Sequence, residues 1–122
     1  MSSKRILLVD DDLAHLVSTR GILEAEGYVV FTHSQGFGTT NLVKMIQPDL
    51  VLLDVNMPGL SGENLASVLK ANSATRQTAV VFYSSNDEDT LRASVKRLGV
   101  DGYISKGNTV QLRSKVAQLL GG

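Results

Sequence analysis

A chain of 122 residues, 43% hydrophobic and 20% charged, is long enough to bury one core and polar enough to stay in solution. Twelve basic residues balance twelve acidic ones, so there is no broad electrostatic pull toward nucleic acid or an anionic membrane surface. Cysteine is absent, which excludes disulfides, thiolate metal sites and thiol nucleophiles and makes a cytoplasmic location the expectation.

The first apolar run, Ile6 to Val9, is too short for a signal-peptide core or a membrane span. It reads instead as a buried strand, ended by Asp10-Asp11-Asp12. From Leu13 to Glu26 the apolar residues Leu13, Leu16, Val17 and Leu23 recur at helical spacing, and Gly27 stops that helix. Tyr28 to Phe31 is a second strand. A glycine-rich turn, Gly36 to Gly38, leads to a helix with Leu42, Val43, Met45 and Ile46 on its expected inner face, ended by Pro48.

Leu50 to Leu53 is a third strand, apolar throughout, as a strand covered on both faces should be. A turn at Asn56-Met57-Pro58-Gly59 precedes a helix marked by Leu65, Val68 and Leu69. Ala79 to Tyr83 is the fourth strand. Asn86 is the expected N-cap of the next helix, with Asp87, Glu88 and Asp89 in its first turn and Leu91, Val95 and Leu98 as its stripe. Gly102-Tyr103-Ile104 is a short fifth strand, and Thr109 to Leu120 a last helix with Val110, Val116, Leu119 and Leu120 facing inward. No linker-like run divides residues 1–122, so one domain is expected. The chain stops directly after the last helix, leaving no room for an output domain. That suits a free-standing regulator and an excised domain equally.

Five strand–helix repeats with short connections predict a parallel sheet covered on both faces, because each return to a parallel strand needs a right-handed crossover. In such sheets ligands bind outside the carboxyl ends of the strands. Four strands end there in polar residues: Asp10-Asp11, Asp54, Ser84-Ser85 and Ser105-Lys106. Three neighbouring carboxylates repel one another, and a cation among them relieves the repulsion. With no His or Cys at these positions the donors are all oxygen, which suits Mg²⁺ or Mn²⁺. Lys106 and the Ser84 hydroxyl would suit the free oxygens of a phosphoryl group, and a carboxylate beside the metal can attack phosphorus.

Each of these residues also has a plainer reading. Asp10 and Asp11 could simply precede a helix, but Asp12 is the better N-cap. Ser84 and Ser85 are turn formers, and Ser85 could compete for the role of Ser84. Lys106 could be a solvated lysine and Tyr103 plain core. His15 and His33 have no acidic or histidine partner at ligand spacing and are expected at the surface or a sheet edge. Gly59 and Gly62 are expected to serve turn geometry. Arg92, Lys96 and Arg97 read as the wet face of a helix.

Val9-Asp10-Asp11, Asp54 with Met57-Pro58-Gly59 and Gly62, Ser84, and Tyr103 with Lys106 three residues on resemble the receiver domain of bacterial response regulators. The likeness runs from about Lys4 to Leu120. It implies a doubly wound α/β fold, flavodoxin-like and similar to chemotaxis regulators, with strand order 2-1-3-4-5. It implies Mg²⁺ held by Asp11, Asp54 and the backbone carbonyl of Asn56, with Asp10 helping through water. It also implies Asp54 as phosphoacceptor, Lys106 as the phosphate's counter-charge, and Ser84 and Tyr103 as a coupled switch. A histidine kinase or phosphotransfer domain would supply the phosphoryl group, and a downstream protein or fused output domain would read the result. The face built from the fourth helix, fifth strand and fifth helix often binds partners in this family.

The sequence departs from the family where Gly107 replaces the proline that usually follows the lysine across a cis peptide. A non-proline cis bond costs roughly 3–4 kcal/mol, so either Gly107 bears that strain or the loop is rebuilt. A rebuilt loop that misplaced Lys106 would favour the competing expectation, a phosphorylation-independent interaction module. An aspartate-nucleophile phosphatase acting on outside substrates is a third reading. It wants a second Asp two residues after the nucleophile, where this chain has Asn56.

Overall fold

The computed structural model describes residues 3–121. Its elements in chain order are β1 (Arg5–Val9), α1 (Leu13–Ala25), β2 (Val29–His33), α2 (Thr39–Ile46), β3 (Leu50–Leu53), α3 (Gly62–Ala71), β4 (Ala79–Ser84), α4 (Glu88–Leu98), β5 (Gly102–Ser105) and α5 (Thr109–Leu120). The five strands form one sheet in the order β2-β1-β3-β4-β5, with every pairing parallel. This is the doubly wound order that the motifs implied.

Strand residues alternate between two cores, because successive side chains point to opposite faces. Leu7, Val9, Val51, Leu53, Val80 and Phe82 face α2, α3 and α4, where Val43, Leu65, Leu69 and Leu91 meet them. Ile6, Leu8, Leu50, Leu52, Val81 and Ile104 face α1 and α5 through Leu16, Leu23, Leu112 and Val116. Residues Ile6–Val9 and Leu50–Leu53 are all buried. The two central strands are therefore packed on both sides, and Asp10 and Asp54 leave from their C-terminal ends.

Several helix faces differ from the sequence expectation. In α1 the buried residues are Leu16, Thr19 and Leu23, whereas Leu13 and Val17 are exposed. Val17 lies about 100° round the helix from Leu16, and Thr19 rather than Val17 completes the inward stripe. Met45, Val68 and Val110 are likewise exposed; Val43 and Leu69 face inward as expected, and in α5 Leu112, not named by the spacing, is buried in place of Val110. The N-cap of α4 is Asp87, whose side chain accepts the Thr90 N–H at 2.7 Å, one residue later than expected. Strand β2 begins at Val29 and runs on to His33, while Tyr28 packs beneath it against the α1–α5 core.

Candidate functional site

The sheet register brings the acidic residues together. Val9 pairs with Leu53, and the Asp54 N–H donates to the Val9 carbonyl at 2.9 Å. Asp10 and Asp54 therefore leave adjacent strands side by side, both buried. Asp11, exposed on the turn into α1, completes a group in which carboxylate oxygens of Asp10, Asp11 and Asp54 all lie within 4.8 Å of one another. Asp12 turns away to cap α1, accepting the His15 N–H at 3.1 Å. The expected N-cap role of Asp12 is thus observed, and Asp10 and Asp11 are left to the acidic group.

Lys106 enters from the end of β5. Its Nζ stands 2.8 Å from Asp10 Oδ2 and 3.4 Å from Asp54 Oδ2. Its backbone N–H donates to the Ser84 carbonyl at 2.9 Å, which ties the β5 and β4 ends together. The peptide after Lys106 is trans, as are all those among the described residues, and Gly107 adopts φ +89° with open space around it. The loop is therefore rebuilt around a left-handed glycine, and the rebuilt loop still delivers the ammonium between the two carboxylates. A side chain at this φ would be strained.

Ser84 is fully buried at the end of β4, and its Oγ accepts the Asn86 N–H at 3.2 Å. Ser85 is exposed, which separates the two serines by burial. Tyr103 is half-buried on β5. Its hydroxyl accepts from the Arg92 guanidinium at 3.2 Å, and that group also lies 6.0 Å from the ring centroid. Asn56 donates its backbone N–H to Asp54 Oδ1 at 3.2 Å, and its side-chain amide donates to Asn86 Oδ1 at 2.7 Å across the mouth of the site.

Electrostatics divide the two central carboxylates. Burial pushes Asp10 upward, but the Lys106 ammonium, the Asp12 N–H and His15 outweigh it and hold the carboxyl below its ordinary range. Burial also pushes Asp54 up; the Asn56 N–H and Lys106 oppose this, the Asp10 charge adds to it, and the net shift is upward. Burial would lower Lys106, yet its contacts with Asp10 and Asp54 leave it raised and firmly cationic. One ammonium set against three carboxylates leaves the group net negative, and the all-oxygen donor set fits a hard divalent cation.

Two residues differ from the sequence reading. His15 is not a plain surface residue: its Nδ1 lies 3.0 Å from Asp10 Oδ2, and its ring tilts against Tyr83 with centroids 5.0 Å apart. The spacing rule missed this partner because the contact runs from a strand end to the first turn of the following helix. The Asp12 cap, once recognised, would have placed His15 there. His33 has no such role; its Nε2–H donates to the Phe37 carbonyl at 2.6 Å. Gly62 is required by close approach rather than by turn geometry, since a Cβ there would stand 2.2 Å from the Asp54 carbonyl oxygen. Gly59 does serve the turn, at φ +84°.

Comparison with known proteins agrees with this geometry. The family model for the response regulator receiver domain matches residues 6–117, and the chain belongs to that family. The protein PilH of Pseudomonas aeruginosa is 31% identical over 102 residues, covering 84% of each chain. The aerobic respiration control protein ArcA of Escherichia coli is 31% identical over 106 residues, 87% of this chain but 43% of its own length. Among solved structures, the receiver domain of a sensor histidine kinase from Pseudomonas aeruginosa, described with magnesium coordinated in its active-site cleft, superposes with a TM-score of 0.87. That match covers 99% of this chain and 100% of the other, at 20% identity, a likeness of fold. The protein is therefore a two-component receiver domain with an acidic pocket at the carboxyl end of its sheet.

Proposed function

We propose that Asp54 accepts a phosphoryl group from a phosphohistidine of a kinase or phosphotransfer domain, and that the resulting charge drives a switch in a partner-binding face. The observation that carries this reading is Lys106. The ammonium reaches both buried carboxylates, although the family's proline is missing beside it. That placement favours the phosphoacceptor reading over the phosphorylation-independent module.

In the transfer, one Asp54 carboxylate oxygen attacks phosphorus, an O–P bond forms, and the N–P bond to the donor imidazole breaks. Asp11, Asp54 and the Asn56 carbonyl would hold Mg²⁺, with Asp10 acting through water, and Mn²⁺ fits the same donors. Such an ion supplies neutralisation of the developing phosphoryl charge. Lys106 moves from Asp10 toward the new phosphate oxygens. The Ser84 hydroxyl, held by the Asn86 N–H, is the neutral donor available from β4, and its shift would let Tyr103 turn inward. The only reactions catalysed are the domain's own phosphorylation and dephosphorylation.

No helix among the described residues is long and apolar enough to cross a membrane. A cytoplasmic regulator read by a downstream protein or a fused output domain fits this. The test is intact mass after incubation with Mg²⁺ and acetyl phosphate, with Asp54→Asn alongside. The reading expects one phosphoryl adduct that needs Mg²⁺ and is lost in the variant. No adduct with either a small donor or a cognate kinase, together with no Mg²⁺ binding, would sink it.

A further inference from the structure

The Asp10 carboxylate has more partners than the proposed phosphorylation chemistry accounts for. Its Oδ1 accepts the Asp12 N–H at 3.0 Å. Its Oδ2 accepts both Lys106 Nζ at 2.8 Å and the His15 Nδ1–H at 3.0 Å. An ionised carboxylate offers about four acceptor positions, so three are filled by the protein itself. His15 lies outside the group of oxygens close enough to share an ion, which comprises Asp10, Asp11 and Asp54. It acts on the site through Asp10 alone. Its position is held from two sides, by the Asp12 cap on its backbone N–H and by the Tyr83 ring.

We infer that His15 is a positioning residue that keeps Asp10 satisfied when Lys106 leaves it for the phosphoryl group, and so eases the transfer. This rests on the phosphoacceptor reading above. Lys106 sits closer to Asp10 than to Asp54, so it must give up its shorter contact to meet a phosphate on Asp54. Asp10 is 4% exposed, and a buried carboxylate that loses its cation is costly unless another donor stays in place. The Asp12 N–H stays on Oδ1, and His15 keeps Oδ2, the oxygen that Lys106 leaves, paired from α1, an element that need not move when Lys106 does. Without His15, Asp10 would hold Lys106 back.

His15→Leu removes the donor, and His15→Asn, though smaller, returns an amide N–H near the place of Nδ1. Two quantities separate positioning from mere support: the phosphorylation rate constant at saturating Mg²⁺ and acetyl phosphate, and the Mg²⁺ dissociation constant of the unphosphorylated protein by amide NMR shifts. In His15→Leu the rate constant should fall about three- to tenfold, the range one hydrogen bond commands. Mg²⁺ binding should not weaken, because Asp10 loses a competitor for its charge. His15→Asn should recover most of the rate. An unchanged rate in His15→Leu, with wild type phosphorylated, overturns the inference and leaves the phosphoacceptor reading intact. Parallel loss of rate and Mg²⁺ affinity that Asn does not rescue also overturns it, by showing a structural role. A wild type that binds Mg²⁺ but takes no phosphoryl group from any donor overturns both.

Discussion

The Lys106 ammonium lies 2.8 Å from Asp10 and closer to it than to Asp54, so the site is organised around a strand-end ion pair in which Asp54 is the more distant partner. Lys106 is 17% exposed at its side chain and Asp10 6%, so solvent screens the pair only weakly. Removing one partner of such a pair strands the other charge. Lys106→Met should therefore destabilise the fold by about 2–4 kcal/mol in metal-free buffer, read as a shift in urea midpoint. Saturating Mg²⁺ should restore part of that loss by neutralising the same carboxylates. An equal loss with and without Mg²⁺ would mean that Lys106 supports packing instead of charge balance.

Asp54 and Asp10 respond to pH in opposite senses. Asp54 is raised in the folded state, so its ionised form opposes folding at neutral pH, and that penalty fades as pH falls through its folded value toward 3.8. Asp10 is lowered, so its contribution is present above 3.8 and is lost as pH falls through its folded value. Asp54→Asn removes the first effect and keeps the second. The variant should be more stable than wild type at pH 7 by about 0.5–2 kcal/mol, as expected where a functional charge is held at the expense of stability. The gap should narrow steadily as pH is lowered toward 3.8. Denaturant melts in chelator across this window test it; a gap that is absent at pH 7, or widens with acid, would contradict the assignment.

Gly62 fixes how closely α3 may approach the backbone that follows β3. A methyl group there would meet the Asp54 carbonyl oxygen at 2.2 Å, its carbon at 2.9 Å and the Val55 Cα at 2.9 Å, all backbone atoms with no rotamer to yield. Gly62→Ala should cost about 2–4 kcal/mol by overpacking and should displace Asp54 from the acidic group. Thermal unfolding by circular dichroism reads the first effect and weakened Mg²⁺ binding the second. Gly107→Ala is the natural control, since it meets only backbone strain in open space and should leave Mg²⁺ binding largely intact.

How far the sequence disclosed these features depended on their range. The apolar runs Ile6–Val9 and Leu50–Leu53 announced doubly covered central strands because every residue in them is buried. The acids that end those runs disclosed the site, because parallel strands deliver their C-termini to one edge. Helix faces were less legible: Val17 and Met45 obey helical spacing as well as Leu16 and Val43 do, and only tertiary contact chooses between them. The consequence of Gly107 was open, since one residue cannot say whether a loop will strain or rebuild. His15 was misplaced because its partnership with Asp10 depends on the Asp12 cap folding the first turn of α1 back over the strand end.

The Arg92–Tyr103 contact bears on the proposed switch. Tyr103 belongs to β5 and packs partly against the α2–α3–α4 core, while the guanidinium from α4 meets both its hydroxyl and its ring. Arg92 therefore favours the half-exposed position of the ring over one turned toward Ser84. It is itself exposed and also paired with Asp89 at 3.1 Å, so its hold on the ring is modest and sensitive to salt. Arg92→Ala should shift the Tyr103 ring toward the inward position without phosphate, while leaving Asp54 chemistry with a small donor nearly unchanged. Aromatic NMR shifts of Tyr103, recorded in low and high salt with and without a beryllofluoride mimic, would read this. Wild type in high salt should move part of the way toward the variant. A ring whose shifts ignore both the substitution and the salt would show that packing alone sets its position.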